Sequence, residues 1–149
     1  MASAWPRVVT ALIGILPTLP GWSGVQVFDG PPNTEQEFTS YITVGHQDGA
    51  DTGGSFTQDY ADDGIFWQES GDVVCRLVVQ TGNDDLPTVR TSLFALLDSL
   101  QQYLLADRWL AGTLTPEGWS NVTVDPLVVK EASGTAMSLL ITLHYYTRI

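Results

Sequence analysis

The segment Ala136 to Tyr146 constrains the fold more tightly than any other part of the chain. Leu139, Ile141, Leu143 and Tyr145 point one way and Ser138, Thr142 and His144 the other, with Leu140 and Tyr146 interrupting the polar side. Successive side chains leave a strand on opposite sides, so a period of two over this length is a strand with one covered face. The chain must therefore build a sheet and supply something apolar to lie over it.

Two helical patterns offer that cover. In Leu86 to Asp107, the residues Val89, Leu93, Leu96, Leu97, Leu100, Tyr103 and Leu104 recur with the spacing of one helix face. Asp84 or Asp85 is placed to cap this helix, and Pro87 is tolerated in its first turn. Near the N-terminus, Trp5, Val8, Val9, Leu12, Ile13 and Leu16 form a second apolar face, with Ser3 placed as cap and Pro17 as stop.

The other strands read as Gly24 to Asp29, Phe38 to His46, Ile65 to Thr81 with a bend or bulge at Glu69-Ser70-Gly71-Asp72, and Val122 to Glu131. The last of these joins Ala136 to Tyr146 through the turn Ala132-Ser133-Gly134-Thr135. The first strand stops at Asp29-Gly30-Pro31-Pro32, because consecutive prolines cannot donate to a ladder. Gln47 to Gly64 is rich in Gly and Asp and has no basic residue, which reads as a long exposed acidic loop or an extended hairpin tip. The expectation is a single α+β domain over residues 1–149 in the order α-β-β-β-α-β-β. Its mostly antiparallel or mixed sheet has about five strands, with both amphipathic helices on one face.

Length and charge narrow the function. With 149 residues, 44% of them apolar, the chain suits one domain with a real core. Charged residues make up only 15%, against about 25% in typical soluble domains, so much of the surface is expected to be neutral or covered by other copies. Seventeen acidic and six basic residues give a net charge of −11. The six, Arg7, Arg76, Arg90, Arg108, Lys130 and Arg148, form no stripe, which argues against gripping a nucleic-acid backbone. An acidic surface instead keeps a polyanion from sticking.

No run reaches the ~18 apolar residues of a membrane span. The apolar N-terminal stretch is cut by Pro17 and Pro20 and lacks a small-x-small cleavage site, so a soluble protein made in the cytoplasm is expected. Cys75, inside a strand-like run, reads as a buried structural thiol.

Catalytic signatures are missing. The chain has no Gly-x-Ser-x-Gly elbow, no His-Glu-x-x-His, no phosphate loop ending in Gly-Lys and no cysteine pair for zinc. His46 lies near Asp48 and Asp51, but nothing in the spacing brings it to His144. The carboxylates of Gln47 to Gly64 do not follow a calcium-loop spacing. Neither an enzyme nor a metal or cofactor site is expected. The remaining peculiarity is a set of aromatics, Phe56, Tyr60, Phe66 and Trp67, among Asp48, Asp51, Asp59, Asp62, Asp63, Glu69 and Asp72. Such rings act as interface anchors or pin a long loop to its own domain.

The segments "VVTALIGILPTLPG", "VQVFDGPP", "DVVCRLVVQTG", "VRTSLFALLDSL" and "LLITLHYYTRI", taken in order over nearly the whole chain, resemble the tail terminator proteins of long-tailed (siphovirus-type) bacteriophages, especially those of actinobacteria. That resemblance implies a non-enzymatic virion protein that forms a six-membered ring on the last ring of the tail tube. It would end tube polymerisation and meet the head's connector protein, while genomic DNA passes through without specific binding. On this view Asp48, Asp51, Asp59, Asp62 and Asp63 are candidates for the channel wall or a ring contact. Asp29, Pro31 and Pro32, with Phe56, Tyr60, Phe66 and Trp67, are candidates for interfaces. Two rival readings stand beside it: another head–tail connector or stopper ring, and a small hydrolase or ligand-binding domain using His46 and nearby carboxylates.

Overall fold

The computed structural model describes residues 3–31, 40–46, 53–60, 67–81, 85–115, 118–131 and 134–149. Helix α1 (Trp5–Ile15) is followed by a short 3-10 turn (Leu16–Thr18), strands β1 (Gln26–Asp29), β2 (Ser40–Val44), β3 (Gly54–Tyr60) and β4 (Trp67–Thr81), helix α2 (Leu86–Ala106), and strands β5 (Gly118–Glu131) and β6 (Gly134–Arg148). The architecture is α+β with a mixed six-stranded sheet and two helices. This corrects the expected order, because the middle of the acidic Gln47 to Gly64 segment forms β3, antiparallel to β4 from Gly54↔Val73 to Tyr60↔Trp67. Gly and Asp mask the strand in the sequence, but Phe56 and Tyr60 alternate with polar residues and find a ladder on β4.

Strand β4 organises the sheet. One of its edges pairs with β2 along Cys75 to Val79 and with β3 along Trp67 to Val73, and its other edge pairs with β6. β5 lies outside β6. The register passes through Glu69-Ser70-Gly71-Asp72 without a shift against either neighbour, so the expected irregularity there is not found. It occurs instead in β5, between Trp119 and Asn121, where Ser120 is an extra residue. This bulge resets the alternation, so that Trp119 opposite Tyr145 and Val122 opposite Leu143 share a face.

β1 and β2 are parallel, from Gln26↔Tyr41 to Asp29↔Val44. A parallel pair requires the chain to return along the strand's length, which a two-residue hairpin cannot do. The Gly30 N–H donates to the Val44 carbonyl at 3.0 Å, closing the end of the pair.

Both helices cover the same face of the sheet. The core joins Val8, Leu12 and Leu16 of the N-terminal segment and Val89, Leu93, Leu97 and Leu100 of α2 to Ile42, Val44, Val73, Cys75, Leu77, Leu139, Ile141 and Tyr145. The alternation in the C-terminal strand thus faces the helices as expected. Asp85 caps α2, accepting from the Thr88 N–H at 3.2 Å. Trp22 is fully buried, and its indole N–H donates to the Leu96 carbonyl at 3.1 Å, so the proline-rich loop is pinned to α2.

Ser3 stands one residue before the N-cap position of α1, which is Ala4 and has no side-chain cap of its own. Glu69 of β4, 0% exposed, supplies one instead. Its Oε2 accepts from the Ala4 N–H and from Gln58 Nε2, both at 3.1 Å. Its Oε1 accepts from Ser3 Oγ and from the Tyr145 hydroxyl, both at 2.7 Å. Ser3 Oγ in turn accepts from the Trp5 N–H at 3.0 Å. Gly71 makes this possible, since a Cβ there would lie 2.5 Å from the Tyr145 ring and hydroxyl.

Burial pushes the Glu69 carboxyl upward, but the hydrogen bonds from Tyr145, Ser3, Gln58 and the Ala4 N–H outweigh it and leave the group below the usual glutamate value. A carboxylate with a lowered folded pKa contributes its full stability above the unfolded value, near 4.5, and loses it as pH falls through the lower folded value. Glu69→Gln is expected to cost about 2 kcal/mol at neutral pH. It should also flatten the acid side of the stability curve in chemical denaturation, and an unchanged acid slope would refute this role. Gly71→Ala is expected to cost about 1–3 kcal/mol by overpacking against Tyr145, read as a lower melting temperature.

Candidate functional site

The face of the sheet away from the helices carries the polar half of each alternating strand. In one register row across four strands lie Ser55 of β3, Asp72 of β4, His144 of β6 and Asn121 of β5. The row crosses a groove of about 340 Å³, lined also by Phe56, Thr57, Ser70, Gly71, Ser120, Tyr145 and Tyr146. No lysine or arginine is among the lining residues.

Asp72 and His144 pair directly, Oδ1 to Nδ1, and both are about one-third exposed. The other Asp72 oxygen has a long contact from Ser55 Oγ at 3.4 Å. With Nδ1 turned to the carboxylate, the ring orientation is fixed and Nε2 faces Thr123 Oγ1 at 3.4 Å. This is the orienting half of an acid–base relay. The hydroxyl is at the outer limit of a hydrogen bond and sits on an extended strand, unlike a nucleophile on a sharp turn. Among the described residues no group of three or more His, Cys, Asp and Glu converges as a metal site.

The rest of this face is more apolar. Phe28 and Tyr41 pack edge to face at 6.0 Å, and Arg76 Nη1 reaches Ser138 Oγ at 3.4 Å. Thr43, Val78 and Ser138 are buried there, although the helices lie on the other side. Leu127 and Tyr146 extend the surface outward, 49% and 46% exposed.

The sequence-derived candidates separate in the structure. Asp59 is exposed on β3, opposite Gln68 and in phase with Ser55 on the helix-free face. Phe56 and Tyr60 have the opposite phase, and are 48% and 63% exposed. Tyr60 stacks on Trp67 with ring centroids 3.8 Å apart, so the pair braces the end of the β3–β4 hairpin. Asp29 and Pro31 are exposed at the end of the edge strand β1. Pro32, Asp48, Asp51, Asp62, Asp63 and Phe66 lie outside the described residues. His46 follows β2, where its N–H donates to the Val74 carbonyl at 3.3 Å; the carboxylates expected beside it, Asp48 and Asp51, are outside the described set.

The pair that sequence reasoning missed is Asp72–His144, separated by 72 positions and joined only by strand register. The available signal was phase: His144 is on the polar side of its strand, and Asp72 holds the same phase on the strand that pairs with it.

No protein family and no curated protein matches the chain. Among solved structures, a chain described as "Virion of native gene transfer agent (GTA) particle" is similar at 10% identity and a TM-score of 0.43, covering 97% of this chain and 92% of that one.

Cys75 is buried in the core, and burial pushes its thiol up to about 12, against a backbone hydrogen bond from Gly45 that acts the other way. In the folded protein this thiol is expected to react with an aromatic disulfide reagent only as fast as the chain unfolds. Rapid labelling under native conditions would contradict its placement.

Proposed function

We propose that this chain is a structural virion protein, a tail terminator that assembles as a ring at the head-proximal end of a phage tail tube and offers the surface for head–tail joining. The observation that carries the reading is the helix-free sheet face. Phe28, Tyr41, Val74 and Leu140 are half-buried on it in a single copy, and it continues outward into exposed Leu127 and Tyr146. A two-layer domain with one such face is half of an interface. The low charge density, the missing catalytic motifs and the sequence resemblance to tail terminators support the same reading.

In this reading the partners are other copies of the chain, the tail tube protein and the connector, and the protein is neither an enzyme nor a holder of cofactors. Net charge −11 suits a channel wall past which DNA slides, and among the carboxylates proposed for that wall Asp59 is exposed. A connector or stopper ring of the same particle is the nearest rival. The hydrolase reading moves from His46 to the Asp72–His144 pair, the one His–carboxylate contact among the described residues.

The deciding measurement is the mass of the purified protein by light scattering, with negative-stain imaging of the protein mixed with tail tubes and with portal-bearing heads. Rings, or decoration confined to one tube end, are the expected outcome. Binding to heads and not to tubes would favour the connector, and a monomer that ignores both would defeat the virion reading.

A further inference from the structure

The chain carries its charge unevenly. Between Arg7 and Arg76 there is no lysine or arginine, whereas ten Asp and Glu fall in that stretch, which supplies β1, β2, β3 and the half of β4 that bears Asp72. Of these ten, Asp72 is the one that lines the groove on the helix-free face. The lining offers a one-third-exposed carboxylate beside His144, the hydroxyls of Ser55, Ser70 and Ser120 and the amide of Asn121, with no lysine or arginine. One Asp72 oxygen is taken by His144, and the other has only the 3.4 Å contact from Ser55. An acceptor-rich groove with a half-used carboxylate and an exposed Tyr146 at its side suits a guanidinium, which donates in a fork and stacks on aromatic rings.

The same chain presents such a group on its opposite layer. Arg7, Arg90 and Arg108 are exposed and make no ion pair among the described residues. Arg108 lies with its stem against the backbone at Gly118 of its own chain. Arg7 has exposed Pro6 and Thr10 as its neighbours on α1. Arg90 differs from both, because one turn further along α2 stands Phe94, 40% exposed. An arginine beside an exposed aromatic ring on one rigid helix is a ready-made anchor.

We propose that the groove at Asp72 receives Arg90 from a second copy of this chain. The helix layer of one copy then packs on the bare sheet face of the next. The two surfaces are different, so the contact is heterologous, and repetition closes a ring or continues as a filament. The inference rests on the ring reading above and says how the copies join.

The experiment compares self-association of the wild type, Asp72→Arg, Arg90→Asp and the double variant by sedimentation, up to about 1 mM protein. Each single variant is expected to weaken association at least about tenfold, and the double variant to regain most of it. Arg90 is on an exposed helix surface, so Arg90→Asp is expected to fold normally, and circular dichroism checks this for all four proteins. Assembly that is unchanged in both single variants would overturn this contact and leave the ring reading standing. A wild type that stays monomeric throughout, with no cross-link between Ser120→Cys and Arg90→Cys copies, would overturn both.

Discussion

The carboxylate of Glu69 ties the N-terminal segment to the sheet. It takes hydrogen bonds from the start of α1, from Ser3, from β3 through Gln58 and from β6 through Tyr145. A fully buried charge without partners is costly, and this one is tolerable because four donors from three segments converge on two oxygens. The convergence also works as a specificity device. If α1 shifted along its axis or β6 slipped by one residue, the charge would remain buried and lose its donors. Register between β3, β4 and β6 and the docking of α1 are therefore coupled through one side chain.

The register held in this way determines the opposite face. Glu69 and Gly71 point to the helices, so Ser70 and Asp72 between and beside them must point away. The pairing of β4 with β6 that places Tyr145 over Gly71 also places His144 beside Asp72. One short segment, Glu69-Ser70-Gly71-Asp72, thus supplies the buried hub on one side and the groove's carboxylate on the other. The Ser120 bulge adds a residue at the groove edge and keeps Trp119 in the core. The two layers give the domain a covered side and an uncovered side, and the proposed head-to-tail packing would join one to the other.

Much of the fold was legible because it depends on periodicity. The apolar faces of α1 and α2 and the alternation from Leu139 to Tyr145 appear in the structure as read, and of the two cap candidates for α2, Asp84 and Asp85, it is Asp85 that caps it. β3 was less legible, since Gly54, Ser55, Thr57 and Asp59 have the composition of a loop, and only pairing with β4 makes them a strand. The parallel pairing of β1 with β2 was not readable, because strand direction depends on where the chain returns. Ser3 was read as the cap by the usual local rule; it accepts from the Trp5 N–H, while a carboxylate 65 positions away from Ala4 takes the Ala4 N–H.

What the sequence determined by itself was local: which segments are helices or strands, which of their faces are apolar, and an acidic balance that disfavours gripping a polyanion. These follow from the spacing and chemistry of neighbouring residues. The tertiary structure decided what lies across the sheet from what. The Glu69 hub, the Asp72–His144 pair and the acceptor-lined groove each join residues from different strands. Their positions depend on register and strand order, which are set by long-range packing and by the energetic cost of leaving a buried charge without donors.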